Sequence, residues 1–349
     1  MAALTGDGWT TSPSPAESLL VRVEEESAAA GVRRRATALA ERLGFAGERL
    51  EQVRLAATEA ATNLVRHARQ GEMLVRIVRD DGDAVLELVS IDRGPGIADV
   101  PVSVLNGFST RGTLGLGLGS IERLADRSGL YSLPGPGTVL YARFRPPGGP
   151  DAARPPFAGL TVPIGDEVEC GDAYTARLVD GTVYAMLCDG LGHGPLAARA
   201  ASAAVRAAHG TALPVSPAEM LRRIRERMTA TRGGAVAVAA VEPAAGRVRF
   251  AGLGNVAGWI VGPERRQGLV SVPGIAGTNA GRIREHAYPL PPGAAVVLHS
   301  DGLTSRWSLA DRPGLDFGDP LLVAATLLRD AGVRHDDRSV LAITTSGRR

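Results

Sequence analysis

The chain has 349 residues, 44% of them hydrophobic and 4% aromatic, with a formal charge of +2 at pH 7; that length is too great for one ordinary core and fits two domains. It contains no lysine, which excludes a Walker A phosphate loop, a Schiff-base lysine and the lysine of protein-kinase strands. Its two cysteines, Cys170 and Cys188, cannot form a zinc site between them, and no uninterrupted apolar run approaches the ~20 residues of a membrane helix.

The opening residues, MAALTGDGWTTSPSPAESLL, lack a basic segment followed by an apolar one, so a cytoplasmic protein without a secretory leader is expected. Residues 1–17 read as a flexible N-terminus. Residues 18–44 interleave apolar and charged positions, and GERLEQVRLAATEAATNLVRHA over 47–68 reads as a long amphipathic helix. EMLVRIVRD and AVLELVSID, joined by DGD, predict a β-hairpin. The glycine run GTLGLGLGSIERLAD at 112–126 leads into a helical pattern, and GLYSLPGPGTVLYARF predicts a second hairpin. RPPGGPDAARPPF at 145–157 has no periodicity and reads as a linker.

Beyond it the pattern changes to short strands: TVPI, DAYTARLVD, TVYAMLCD, AVAVAAVEP, RVRFAGLG, WIVG, AAVVLHSD and SVLAITT. Helices are predicted over 195–210, 217–231 and 320–331. Strands joined by short turns, with helices set apart, indicate an α+β domain on antiparallel sheets. The basic clusters at 33–35 and 222–227 have acidic neighbours in helical stretches. They read as solvated helix faces, so neither nucleic acid nor membrane is expected as a partner.

Glu59, Asn63 and His67 recur every four residues and share one helix face. An asparagine carbonyl suits Mg²⁺ alongside phosphate oxygens, and a carboxylate one turn earlier can orient or deprotonate a hydroxyl. DRGPGI at 92–97 ends an apolar strand with an aspartate and two glycines, Gly94 and Gly96. A buried carboxylate there can accept the exocyclic amine of adenine. The run of Gly115, Gly117 and Gly119 is G-x-G-x-G rather than the dinucleotide G-x-G-x-x-G, and before a helix it can cradle phosphates by backbone N–H groups.

In order, EAATN, DRGPG and GLGLG resemble the boxes of the GHKL ATPase superfamily shared by histidine kinases, gyrase, Hsp90-type chaperones and mismatch-repair proteins. The resemblance implies an α/β sandwich binding ATP with Mg²⁺, Asn63 on the metal, Asp92 on adenine with Gly94 and Gly96 beside it, and Gly115, Gly117 and Gly119 in a lid over the phosphates. Without a phosphoacceptor helix, the domain resembles the serine kinases that act on STAS-domain anti-sigma-factor antagonists, whose catalytic base would fall on Glu59. His67 stays a helix-face residue.

The second half carries CGDAY with Asp172, LCDGLGHG with Asp189, HSDGL with Asp301, and HDDRS with Asp336 and Asp337. Converging carboxylates repel, and a pair of divalent cations relieves that and can share a hydroxide that attacks a phosphoester. As a set the motifs resemble type 2C metal-dependent protein phosphatases, in the bacterial sporulation and stress-response branch; AGLGN at 251–255 fits the same branch. The resemblance implies an α-β-β-α sandwich with two Mn²⁺ or Mg²⁺ ions, Asp189 as the bridging and catalytic carboxylate, the Gly190 carbonyl on one metal, and Asp301 and Asp336 on the other. Asp172 would act near the second metal, and Asp337 is the alternative to Asp336. His193 is open between a phosphate contact and a turn residue.

The expected organisation is a flexible 1–17, an ATP-binding domain at 18–145, a linker at 146–157 and a phosphatase domain at 158–349. The expected function is a bifunctional kinase and phosphatase setting the phosphorylation of a STAS-domain antagonist or stressosome-like protein, with a sigma factor as a further partner and a homodimer allowed. The alternative is a phosphatase whose N-terminal domain is a non-catalytic, nucleotide-dependent binding module.

Overall fold

The computed structural model describes residues 8–80, 83–98, 100, 117–148, 155–262, 265–278, 282–333 and 335–345. The chain divides into two compact units, Pro13–Ala152 and a second made of Met1–Ser12 with Ala153–Arg349. The first strand, β1 (Thr10–Thr11), belongs to the second unit.

In the unit Pro13–Ala152, β2 (Ser18–Arg22) is followed by α1 (Glu26–Arg42) and α2 (Gly47–His67), then β3 (Glu72–Asp80), β4 (Asp83–Ile91), α3 (Leu118–Leu124), β5 (Arg127–Leu133) and β6 (Gly137–Phe144). The strands form an antiparallel sheet in the order β2-β3-β4-β6-β5. Alternate residues Met73, Val75 and Ile77 of β3, Leu86 and Leu88 of β4, and Leu140, Ala142 and Phe144 of β6 share one core with the helices. The helix α2 faces that core with Val53, Ala56, Ala57, Ala60, Ala61 and Leu64, a mostly alanine stripe at helical spacing that lets helix and sheet approach closely. Both predicted hairpins form, β3 with β4 and β5 with β6.

The second unit contains β7 (Phe157–Val162), β8 (Asp172–Val179), β9 (Thr182–Gly190), α4 (Pro195–His209), α5 (Pro217–Arg227), β10 (Gly234–Glu242), β11 (Arg247–Leu253), β12 (Ala257–Val261), β13 (Arg266–Leu269), β14 (Ser271–Val272), β15 (His286–Pro289), β16 (Ala295–His299), α6 (Pro320–Ala331) and β17 (Arg338–Thr344). One sheet runs β1-β8-β9-β10-β11-β14 with β15 on β11, the other β13-β12-β16-β17-β7. GAVAVAAVE of β10 is buried on both faces because it lies centrally in a covered sheet, where strands read as unbroken apolar runs. Leu187, Ala237, Phe250, Val296 and Leu341 fill the layer between the sheets. The helices α4 and α5 cover the outer face of the first sheet, and α6 packs on β7 and β17 of the second. The result is the α+β sandwich expected of each half. Among the described residues no helix is long and apolar enough to cross a membrane.

Two expectations need correction. Residues 10–11 of the arm expected to be flexible pair with Thr175 and Ala176 of β8, because Trp9 is buried in the core of the second unit. Phe157, assigned to the linker, is the buried first residue of β7 and lies opposite Ile343.

Candidate functional site

Helix α2 brings Glu59, Asn63 and His67 to one face. Glu59 and Asn63 are half-buried and His67 is exposed. Burial lifts the Glu59 carboxyl above its ordinary pKa, against the opposing pull of Arg66. Asp92 follows directly on β4, is buried, and accepts the Gly94 N–H on Oδ1 at 2.6 Å; its own N–H donates to the Thr138 carbonyl at 2.9 Å. A Cβ at Gly94 would stand 2.7 Å from the His67 carbonyl oxygen. Gly96 has φ +71° and its missing Cβ would overlap the Leu133 carbonyl. The Asp92–Gly96 turn is therefore pressed between the end of α2 and the β5–β6 hairpin, with glycine where no side chain fits. Gly117 caps α3 and Gly119 is buried in its first turn, whereas Gly115 lies outside the described residues.

In the second unit Asp172 and Asp189 are direct cross-strand partners on β8 and β9. Asp301 follows β16, and Asp336 and Asp337 precede β17, the paired neighbour of β16. Gly190 donates its N–H to the Gly171 carbonyl at 3.0 Å, and any side chain there would overlap the Ala197 carbonyl. Asn255 Nδ2 donates to Asp301 Oδ2 at 2.5 Å. The adjacent acids differ. Asp337 is buried and accepts the Ile164 N–H on Oδ1 and the Gly171 N–H on Oδ2, each at 2.8 Å. Asp336 is half-buried, and burial followed by the charge of Asp301 raises its pKa.

Burial, reinforced by mutual repulsion, sets the ionisation of this cluster. Burial, then the charges of Asp172, Asp301 and Asp336, push Asp189 up to about 9. Burial lifts Asp172 to about 7, assisted by Asp337 and Asp301 and opposed chiefly by the Ser300 hydroxyl. Asp172 Oδ2 is buried with no hydrogen-bond partner. An orphaned carboxylate oxygen beside three further acids fits divalent cations, which would satisfy the one and neutralise the others. Among the described residues no group of three or more His, Cys, Asp or Glu side chains stands close enough to hold a metal ion, so the fit to cations rests on the orphaned Asp172 oxygen and the acids around it.

His193 is exposed, with Nδ1 3.4 Å from Glu167 Oε1. Cys188 is buried and Cys170 partly so; burial, then the nearby aspartates, push both thiols up, so they stay protonated and unreactive. Sequence reading missed Asn255 as a partner of Asp301 and Ser300 as a partner of Asp172. The Asn ending AGLGN was visible, but which carboxylate it reaches depends on the pairing of β12 with β16.

The histidine kinase-like ATPase domain family matches residues 21–144, and the stage II sporulation protein E (SpoIIE) family matches residues 179–346. Over 122 residues the chain is 34% identical to the serine/threonine-protein kinase RsbT of Bacillus subtilis, covering 35% of this chain and 92% of that protein. The chain belongs to this kinase family. Its two halves make it a fusion of an RsbT-like ATPase domain with a SpoIIE-type, metal-dependent phosphatase domain. It is also 33% identical over 101 residues to the anti-sigma F factor of Pasteuria penetrans, covering 27% of this chain and 67% of that protein. Among solved structures, RsbX in complex with magnesium is similar at 17% identity and a TM-score of 0.46, covering 54% of this chain and 94% of that one. Glu59, Asn63, Asp92 and the glycine run fall inside the ATPase match. Asp189, Asp301, Asp336 and Asp337 fall inside the SpoIIE match, and Asp172 lies just before it.

Proposed function

We propose that the chain is a bifunctional regulator in which the ATPase domain phosphorylates a serine or threonine of a STAS-domain antagonist or stressosome-like protein, and the phosphatase domain removes that phosphate. The observation that carries this reading is the union in one chain of an RsbT-like domain with a phosphatase domain whose carboxylates converge. The similarity to the anti-sigma F factor supports an output through a sigma factor.

In the ATPase domain Asp92 would receive the adenine amine, Asn63 would present its side-chain carbonyl to the Mg²⁺ of ATP, and the glycine run would supply backbone N–H groups to the phosphates. Glu59 accepts the proton of the attacking hydroxyl. The burial that raises its pKa brings it nearer to working pH, which improves a general base. In the phosphatase domain Asp189, the Gly190 carbonyl, Asp301 and Asp336 would hold two Mn²⁺ or Mg²⁺ ions, with Asp172 acting near the second. Such ions supply a nucleophilic water at neutral pH. Asn255 orients Asp301 through its amide hydrogen bond. Asp337 holds the backbone at Ile164 and Gly171 and thereby fixes the start of β8, where Asp172 stands.

The test incubates the purified chain with ATP and a cognate STAS-domain protein. Phosphoserine or phosphothreonine should form, Asn63→Ala should abolish it, and Asp189→Ala should raise the accumulated phosphate. No rise with Asp189→Ala overturns the opposing-activities reading. Nucleotide-dependent partner binding without any transfer, unaffected by Glu59→Gln, would make the ATPase domain a binding module instead.

A further inference from the structure

In the phosphatase domain the guanidinium of Arg266 packs against two indoles inclined at 70° to each other, its Cζ 4.3 Å from the ring centroid of Trp259 and 4.7 Å from that of Trp307. Two aromatic faces hold a planar cation and strip water from it. Nη2 donates to the Ser305 carbonyl at 2.8 Å, but Nη1 is buried with no hydrogen-bond partner. Desolvated and one bond short, this cation lacks a counter-charge.

The clamp is tied to the strand end that carries Asp301. The indole N–H groups of Trp259 and Trp307 both point at His299 Nε2, at 3.2 and 3.4 Å. An indole only donates, so Nε2 accepts and the other ring nitrogen carries the hydrogen, which goes to the Ser300 carbonyl at 2.8 Å. Trp307 is six residues beyond Asp301, a distance of at most about 20 Å along a fully extended chain.

Beside the clamp lies a cavity of about 480 Å³ lined by Arg266, Arg306, Arg312 and Trp307, with Asp311 and Asp330 among its acids. Asp330 is taken by Arg312 at 2.7 Å and by Arg329 at 2.8 Å. Among the described residues neither Arg266 nor Arg306 has a carboxylate within ion-pair distance, and Arg306 is exposed. Asp311 is exposed on the rim, where solvent screens it. The wall thus offers two guanidinium groups without ion pairs, with the exposed Asp311 on the same cavity, next to an apolar indole face.

We propose that this cavity is an anion subsite that takes an acidic side chain of the phosphoprotein substrate, within about six positions of the phosphoserine or phosphothreonine held at the carboxylate cluster. It rests on the phosphatase reading above. The exposed guanidinium of Arg306 takes the carboxylate, the charge of Arg266 adds to the attraction from behind the wall, and the methylenes of a glutamate or aspartate lie against Trp307.

The test uses the full chain with Mn²⁺ at low ionic strength and three substrates: p-nitrophenyl phosphate, a phosphoserine peptide with flanking Asp and Glu, and the same peptide with Asn and Gln. The acidic peptide should have a kcat/KM roughly fivefold above the neutral one, the worth of one modest ion pair. Arg306→Gln and Arg266→Gln should bring that ratio to about one while p-nitrophenyl phosphate hydrolysis is unchanged. Arg306→Glu should invert the preference. Because Arg266 is packed between two rings, its variant can lose stability, and the exposed Arg306 then carries the test alone. Equal rates on the two peptides in the unaltered chain, or an acidic preference that survives Arg306→Gln, overturn the subsite. Failure of the unaltered chain to hydrolyse p-nitrophenyl phosphate instead overturns the phosphatase reading.

Discussion

The indole of Trp9 stacks on the imidazole of His209, ring centroids 5.1 Å apart and planes 15° from parallel. His209 sits at the end of α4, and its Nε2 lies 3.2 Å from Thr11 Oγ1 and 3.0 Å from Thr175 Oγ1. The first described residues are thereby joined to both β8 and α4, and the phosphatase domain takes its edge strand from the opposite side of the ATPase domain in sequence.

Trp9→Ala should accordingly destabilise the phosphatase domain by about 3 kcal/mol, the usual loss for a buried large aromatic, and Trp9→Phe by much less. Calorimetry of the full chain, with ATP used to mark the ATPase transition, separates the two domains. A shift confined to the ATP-sensitive transition would count against this placement of the N-terminal strand.

The adjacent acids Asp336 and Asp337 should respond unequally. Asp337→Ala removes the acceptor of two backbone N–H groups and leaves them buried, which costs about 1 to 3 kcal/mol for each group stranded. Asp336→Ala removes a half-buried acid that repels Asp301 and accepts one backbone N–H, that of Asp337 at 2.9 Å, so the metal-free protein should lose less stability than with Asp337→Ala while Mn²⁺ affinity and phosphatase activity fall. Measuring melting temperature and Mn²⁺ titration on both variants decides it; equal loss of stability in both would refute the division of roles.

Periodicity made α2, both hairpins and the apolar strands β10, β16 and β17 legible, because each buries a face whose spacing is written in the chain. The four acidic motifs of the second half were equally legible, since each stands at a strand end and three of them adjoin a glycine. What the sequence could not show depends on tertiary pairing. A two-residue strand such as β1 has too few positions to display a period, and its burial comes from Trp9 finding α4. The difference between Asp336 and Asp337 lies in which backbone N–H groups reach them from residues 164 and 171. Nor does the hairpin pattern reveal that Arg76 and Glu87, 1% and 0% exposed, bond to each other at 2.7 Å, with Arg143 on the second oxygen of Glu87 at 2.6 Å.

The glycines after Asp92 should tolerate no side chain. At Gly94 a methyl group would meet the His67 carbonyl at 2.7 Å and Asp92 Oδ1 at 2.8 Å; at Gly96 it would also require a left-handed backbone, with φ +71°, that costs a non-glycine residue about 1 kcal/mol or more. Gly96→Ala should lower the stability of the ATPase domain by at least 2 kcal/mol, summing that strain with the overlap at Leu133. Gly94→Ala should weaken nucleotide binding at least tenfold by displacing Asp92. Fluorescent-nucleotide titration and thermal melts would read these effects, and unchanged affinity in Gly94→Ala would separate the turn from the nucleotide site.

The acid cluster should make the metal-free phosphatase domain sensitive to pH. Asp172 and Asp189 titrate near 7 and 9 in the fold, against about 3.9 for an unfolded aspartate. Between these values the folded state holds protons that the unfolded state has released. Stability therefore falls as pH rises from about 4, and the full penalty is present once pH exceeds the folded values. Divalent cations bind the ionised carboxylates, so their affinity should rise over the same range, and a concentration 100-fold above Kd should restore about 2.7 kcal/mol. In EDTA the melting temperature of this domain should drop between pH 6 and 9, and in Mn²⁺ the slope should flatten. Asp189→Asn removes the group with the highest folded value, so it should reduce the slope in EDTA and the gain from Mn²⁺ together. A metal-free protein whose melting temperature is level from pH 5 to 9 would show that the carboxylates do not repel as their positions on β8, β9, β16 and β17 require.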